Sequence, residues 1–471
     1  MREESISTIQ KALAMNLDSC KYGTIAEIGA GQEVARFFFQ AGGAAGTIAK
    51  TISAYDMQFS DAIYGEENHG RYVSRSRLNK MLDKEFSLIL ERVQNTRSKN
   101  STFFVFADTV AARGYRRKGE CHGWVGIRMQ LYPGAPPSEI IIHVRMLDNS
   151  NQDQQNALGI LGVNLIYGAY FLYRNPTDLI ESLVDNVGSE RIEVDMIHFS
   201  GPYFEEVDNR LMALHLVDAG LTHVVMFSPE GEVLQPSDVL YKKNIMVLRG
   251  SFRPVTKVNM DMAQCGKEQF FAEDDVDEQR TVLLAEITMA NLKAGGDINN
   301  SDFLARVDIL GSLGFTVLIS NYLRFFRLRE YLNRYTNRKI GIILGVDNIR
   351  DIFNEDYYEG MEGGVLEAFG KLFAGNVRLY VYPRLDERAG SEDLITIETM
   401  KLPARVQLLL EHLVQNQDIV PLKLGNKDNL KYVSRDILRQ LKKGDGPWKE
   451  GVPEVVYDAI VKNRLFGYGS E

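Results

Sequence analysis

Between residues 140 and 383 the chain repeats one pattern: a short apolar run without polar alternation, then a longer stretch with apolar positions at helical spacing. The runs IIIHVRML, RIEVDMIHF, THVVMF, NIMVLRG, TVLLAEIT, FTVLIS, KIGIILGV and VRLYVYP predict eight strands. Between them, QNALGILGVNLIYGAYFLY, DLIESLVDNV, DNRLMALHLVDAG, FLARVDILGSLG and LRFFRLREYLNRY read as helices, as do a short segment at 236–240 and a helical pair over 348–374. Unalternated strands, each followed by an amphipathic helix, argue for a mostly parallel sheet covered on both faces. Their span is close to the roughly 250 residues of a (β/α)8 barrel. A (β/α)8-like barrel is therefore favoured over two doubly wound halves meeting at the acidic run 273–278. Both folds place ligands at the carboxyl ends of the strands.

The flanks differ. Residues 1–100 read as a mainly helical region, with Ser74 placed to cap the amphipathic stretch RSRLNKMLDKEFSLILERV. TFFVFA at 102–107 reads as a buried strand, and 123–131 and 140–147 flank the turn YPGAPP. The organisation this predicts is a helical region 1–100, α/β halves at 101–272 and 281–385, a charged loop at 386–393, and a helical region 394–471. RYVSRSRL (71–78) and KYVSRDIL (431–438) share basic-Tyr-Val-Ser-Arg-x-x-Leu. They read as a recurring helix cap, or as related surfaces able to pair within or between subunits.

Composition narrows the class. In 471 residues, 45% hydrophobic and 25% charged is the balance of a globular protein long enough for more than one domain. A net charge of -9 speaks against nucleic acid as a principal partner. Cys20, Cys121 and Cys265 are few and scattered, which fits a reducing cytoplasm. No signal-peptide core and no uninterrupted spanning segment is legible, so the expected location is cytoplasmic, away from membranes. No His/Cys spacing marks a metal site, and no cofactor is implied.

The most glycine-rich stretch, 24–56, resembles a phosphate loop without completing one. Gly29-Ala30-Gly31 supplies two positions of a dinucleotide fingerprint, but Glu33-Val34-Ala35 replaces the third glycine. In GGAAGTIAKT, Lys50 does not follow Gly46 directly, so it is misplaced for a P-loop. The glycines Gly29, Gly31, Gly42, Gly43 and Gly46 read instead as sites where backbone packs on backbone. A stronger anion candidate is Arg249-Gly250-Ser251-Phe252-Arg253-Pro254, which follows a predicted strand. There Arg249, Ser251 and Arg253 could hold a phosphate or carboxylate, or the arginines could form structural ion pairs. Other strand ends offer Arg145, Ser200, Ser228, Asn321 and Asp347, with Glu286 or Asp148 as general base and His198 as proton carrier. Adjacent residues on a strand point to opposite faces, so Cys121 and His122 do not read as a thiolate couple. The acidic segment NEDYYEGMEGG lacks calcium-ligand spacing and reads as a solvated helix end.

The blocks TIAEIGAGQEVARFFFQAGG, TFFVFADTVAAR, ECHGW and VLYKK…RGSFRPVT resemble a family of large bacterial cytosolic proteins, over most of the chain. Its members are variously labelled nicotinate- or nicotinamide-nucleotide adenylyltransferase and TonB-dependent receptor. The resemblance implies a bacterial cytoplasmic α/β protein. Adenylyltransferases of that class carry His-x-Gly-His and Ile-Ser-Ser-Thr-x-x-Arg, and this chain contains neither. A TonB-dependent receptor needs a signal peptide and a barrel of alternating strands, and neither is legible here.

Two function classes follow. One is a cytoplasmic enzyme binding a phosphorylated small molecule or nucleotide at the strand carboxyl ends. The other is a non-catalytic, self-assembling protein, since AGGAAG and GGVLEAFG would let helices approach closely. A homo-oligomer is expected on either reading.

Overall fold

The computed structural model describes residues 6–29, 31–67, 70–93, 95–97, 99–114, 120–386 and 393–469. Ala30 and most of the charged loop at 386–393 lie outside them. The chain forms two compact units, 1–223 and 224–471.

The first unit is built on a six-stranded sheet. Its strands are β1 (Lys21–Ile28), β2 (Ile48–Ile52), β3 (Thr102–Ala111), β4 (His122–Met129), β5 (Ser138–Met146) and β6 (Ile192–Ser200), in the order β2-β1-β3-β4-β5-β6. β1 runs parallel to β2 and β3, but β3 through β6 pair antiparallel. The lost alternation that argued for parallel pairing has another cause here. Helices Thr8–Asn16, Glu33–Ala41 and Asn151–Phe171 contribute to the core on one face, while Leu78 and Leu82 of helix Arg75–Val93 meet Gly126 of β4 on the other. A strand covered on both faces is apolar on both, whichever way its neighbours run.

Two strands, β1 and β2, lie in the region expected to be mainly helical. Ser74 does cap helix Arg75–Val93, its Oγ accepting the Arg77 N–H at 3.0 Å. Asn164, which interrupts the apolar run of helix Asn151–Phe171, accepts a hydrogen bond from the buried Lys11 ammonium at 2.8 Å; the same ammonium reaches Asp185 at 2.7 Å. Of the five glycines read as backbone contacts, Gly29 fits best: an added Cβ would stand 2.0 Å from the Val110 carbonyl oxygen. Gly42 and Gly46 face open space, and Gly42 and Gly43 instead occupy positive φ (83° and 75°).

The second unit holds an eight-stranded sheet. β7 (Val224–Phe227) and β8 (Val233–Leu234) form an antiparallel hairpin at one edge. The remaining strands are β9 (Asn244–Arg249), β10 (Thr281–Thr288), β11 (Thr316–Ser320), β12 (Ile340–Gly345) and β13 (Val377–Tyr382). After a small ribbon of β14 (Arg384–Leu385) and β15 (Leu394–Ile395) comes β16 (Ile419–Pro421). The order is β16-β13-β12-β9-β10-β11-β7-β8, with β16 through β11 all parallel.

Among the described residues no closed (β/α)8-like barrel forms: the eight predicted strands are shared between two open sheets, the first two belonging to the first unit. The acidic run 273–278 lies inside the second unit, where Glu273 pairs with Lys339 (2.7 Å) and Arg378 (2.6 Å). Among the described residues no helix is long and apolar enough to cross a membrane.

Candidate functional site

The parallel strands of the second unit appear in the order β11-β10-β9-β12-β13-β16. The chain builds outward from β9 through β10 to β11, then returns to the other side of β9 to lay down β12, β13 and β16. At such a reversal the connections leave in opposite directions, and the carboxyl ends of the two central strands open a crevice between them. Those strands are β9 and β12.

The loop after β9 is the segment Gly250–Thr256. Phe252 is buried at 2% exposure with φ at 46°, a region that side-chain-bearing residues rarely enter. Its ring lies against Gly250, where an added Cβ would meet it at 3.0 Å. Glycine at 250 therefore makes room for the ring, while Ser251 remains exposed at the tip. Thr256 then caps helix Lys257–Phe271 through a reciprocal pair of bonds with Asn259.

Later segments close on this loop. Ser434, from the second Tyr-Val-Ser-Arg segment, donates its hydroxyl to the Pro254 carbonyl at 3.0 Å. The two related segments thus do different work: Ser74 caps its helix, whereas Ser434 ties helix Ser434–Lys443 to the loop after β9. On the β13 side, the Tyr382 hydroxyl donates to Asp261, which also accepts the Asn426 N–H at 2.9 Å. Burial, reinforced by the Asp261 carboxylate, raises the pKa of the Tyr382 phenol.

The charged candidates are arranged in pairs. Arg249 binds both oxygens of the fully buried Glu286, at 2.7 and 2.8 Å, and donates to the carbonyls of Leu323 (2.8 Å) and Tyr322 (3.0 Å). Ser320 donates to the same carboxylate at 2.6 Å. This unit joins the ends of β9, β10 and β11. It engages Arg249 as a strut and leaves Glu286 with three donors. Arg253 sits 2.9 Å from Asp302, on helix Asn300–Ser312, and Asp302 is also paired with the fully buried Arg306. Arg306 in turn donates to the Ser251 carbonyl at 3.2 Å. Beside Arg253 lies a cavity of about 320 Å³ whose walls include Asn299, Asp302, Lys442, Arg464 and Phe466.

Asp148 and His198 belong to the first unit, away from Glu286 in the sequence and from each other in the sheet. Asp148 follows β5 beyond Met146, which is paired with Ile192, and bonds Arg191 at 2.8 Å. His198 is paired with Ile141, near the opposite end of the same two strands. Antiparallel pairing sends successive strand ends to opposite edges, so the strand-end rule that grouped these residues does not bring them together. Burial, together with nearby Arg75, lowers the His198 pKa to about 4.

Two clusters in the first unit escaped the sequence reading. His143 links Asp195 (Nδ1 to Oδ1, 2.6 Å) to His122 (Nε2 to Nδ1, 3.0 Å), beneath Trp124. Glu27 and Asp108 stand opposite one another on β1 and β3. Glu27 accepts the N–H groups of Val34 and Ala35, at 3.1 and 3.2 Å, so its carboxylate occupies the start of helix Glu33–Ala41. Asp108 accepts the Ile28 N–H at 3.2 Å, and its other oxygen is buried without a hydrogen-bond partner. A lone acid inside an apolar strand was the available signal for each carboxylate; pairing them required the register.

No family model and no curated protein matches the chain. Among solved structures, it is similar to the competence/damage inducible protein CihA from Agrobacterium tumefaciens, at 16% identity over 35% of this chain and 97% of that one, with a TM-score of 0.25. A competence-damaged protein (CinA) superfamily protein from Enterobacter cloacae is similar at 14% identity over 36% and 95%, with a TM-score of 0.27. Both likenesses are confined to about a third of the chain, at scores too low to assign a fold from them.

Proposed function

We propose that the second unit binds a nucleotide or another phosphorylated small molecule in the crevice between the carboxyl ends of β9 and β12. The observation that carries this reading is the reversal of strand order between those strands, with the Gly250–Thr256 loop and the capped helix Lys257–Phe271 beginning at the same point. A helix opening there directs its positive end toward the ligand position. Ser251 is exposed at the tip of this loop. The Arg249–Glu286 pair holds the strand ends in register beneath the loop, a supporting role that differs from gripping the anion directly.

The test is calorimetric titration of the full chain with adenine and guanine nucleotides. A ligand is expected to bind, and Ser251→Asp is expected to weaken it by about tenfold or more, because it places a carboxylate beside the incoming anion. Asp148→Asn, in the other unit, should leave the affinity unchanged. Absence of binding by every compound, or unaltered binding by Ser251→Asp, would refute the reading.

A further inference from the structure

The cavity beside Arg253 has a composition that the crevice reading does not use. Four separate segments build it: the loop after β9, the capped start of helix Asn300–Ser312, the end of helix Ser434–Lys443, and the turn that follows helix Glu454–Asn463. Arg253, Lys442 and Arg464 line it, and among the described residues Asp302 is its one lining carboxylate. That carboxylate is already met by two guanidiniums, those of Arg253 and Arg306. Among the described residues neither Lys442 nor Arg464 has a carboxylate partner, so the walls carry an excess of positive charge. Arg253 adds to it: its Nε lies 2.9 Å from Asp302 Oδ1, yet both atoms are buried without a satisfactory hydrogen bond. Its guanidinium is held by charge and retains its donors, the arrangement in which a planar fork can accept a tetrahedral anion.

The backbone supports the same conclusion. Arg464 (φ 50°) and Phe466 (φ 57°) are both held in the left-handed region, and Gly467 follows at φ 85°. Two side-chain-bearing residues in that region within one turn fold the segment back against Lys442, whose stem would lie 3.5 Å from a Cβ at Gly467. This turn puts the Arg464 and Lys442 side chains on the cavity while Phe466, buried at 5% exposure, gives it an apolar wall. At about 320 Å³ the space lies at the small end of ligand pockets.

We propose that this cavity is a binding site for a small phosphomonoester of sugar-phosphate size. Arg253, Lys442 and Arg464 take the phosphate, Asn299 and Ser301 offer polar contacts to hydroxyl groups, and Phe466 covers one face. The site stands on its own walls and does not depend on occupancy of the β9–β12 crevice.

The test is titration of the full chain with ribose 5-phosphate, with ribose and inorganic phosphate as separate probes. Lys442→Gln/Arg464→Asn removes two charges at exposed positions, and asparagine tolerates the left-handed backbone at 464. Ribose 5-phosphate is expected to bind, ribose to fail, and the double variant to raise the dissociation constant by about tenfold or more with Trp448 emission unchanged. Ser251→Asp should leave this binding intact, which separates the site from the crevice. Undiminished binding by the double variant, loss of binding in Ser251→Asp alone, or binding of inorganic phosphate without ribose 5-phosphate would overturn the proposal.

Discussion

Replacing Asp108 with asparagine should make the first unit more stable at mildly alkaline pH. Glu27 and Asp108 are register partners on neighbouring parallel strands, so their carboxyls share one face about 5 Å apart at the backbone. Both are buried. Burial raises the Glu27 pKa from 4.5 to about 7, with the nearby Glu33 acting in the same direction and the helix N–H groups opposing it. Burial and the Glu27 charge push Asp108 well above the usual carboxylate range. The folded state therefore keeps protons that the unfolded chain has already released. Unfolded-state proton binding is the smaller of the two, so stability falls as pH rises through the interval between the unfolded and folded values. For Glu27 that interval is about 2.5 pH units, which at 1.36 kcal/mol per unit amounts to about 3 kcal/mol.

Asparagine at 108 can keep its oxygen on the Ile28 N–H while its amide donates to Glu27, turning a repulsion into a hydrogen bond. The expected wild-type profile declines by at least about 3 kcal/mol between about pH 5 and pH 8, and the variant's decline is about half as large or less. Near pH 8 the variant should be more stable by about 1–3 kcal/mol; near pH 5 the two should agree within about 1 kcal/mol. Urea denaturation in a Trp448→Phe background reads this directly, because Trp124 then reports on the first unit alone. A wild-type profile that stays flat across this range would refute the reasoning. So would a variant destabilised equally at both ends.

Two further outcomes follow from the packing. Arg249→Ala should cost the second unit about 3–5 kcal/mol, because it strands the buried Glu286 charge. Arg249→Met combined with Glu286→Gln should recover most of that loss in the Trp448-reported urea midpoint; equal loss in the single and double variants would show that the ion pair is not the cause. Gly162→Ala should destabilise the first unit by about 1–3 kcal/mol despite alanine's better helix propensity, since its Cβ would lie 2.4 Å from Val34 and 3.0 Å from Phe106. Adding Val34→Ala should relieve part of the strain, and a Trp124-reported midpoint that Gly162→Ala leaves in place would contradict the packing.

Much of the element pattern was legible in the chain. TVLLAEIT and VRLYVY form β10 and β13 where the apolar runs placed them, and the segment at 236–240 is helical as read. Arg249 closes β9 and Arg253 lies in the loop after it, at the strand end where the apolar run placed them. What each arginine binds was not legible, because Glu286, Tyr322 and Leu323 reach Arg249 from strands and loops well separated in sequence. The N-terminal region was read as mainly helical because β1 is interrupted by Gly23 and carries the buried acid Glu27, which weakens its strand pattern.

Local sequence thus determined where strands, caps and tight turns occur, since these depend on side-chain volume, φ preference and hydrogen-bonding groups within a few residues. It determined Ser74 as a cap in this way, from neighbours three residues apart. Strand direction, strand order and closure were decided only by the tertiary structure. A strand buried on both faces presents the same apolar run to parallel and antiparallel partners alike, so β4 through β6 carry no local mark of their direction. The same long-range register set Glu27 against Asp108 and brought Lys442 and Arg464 to the cavity beside Arg253.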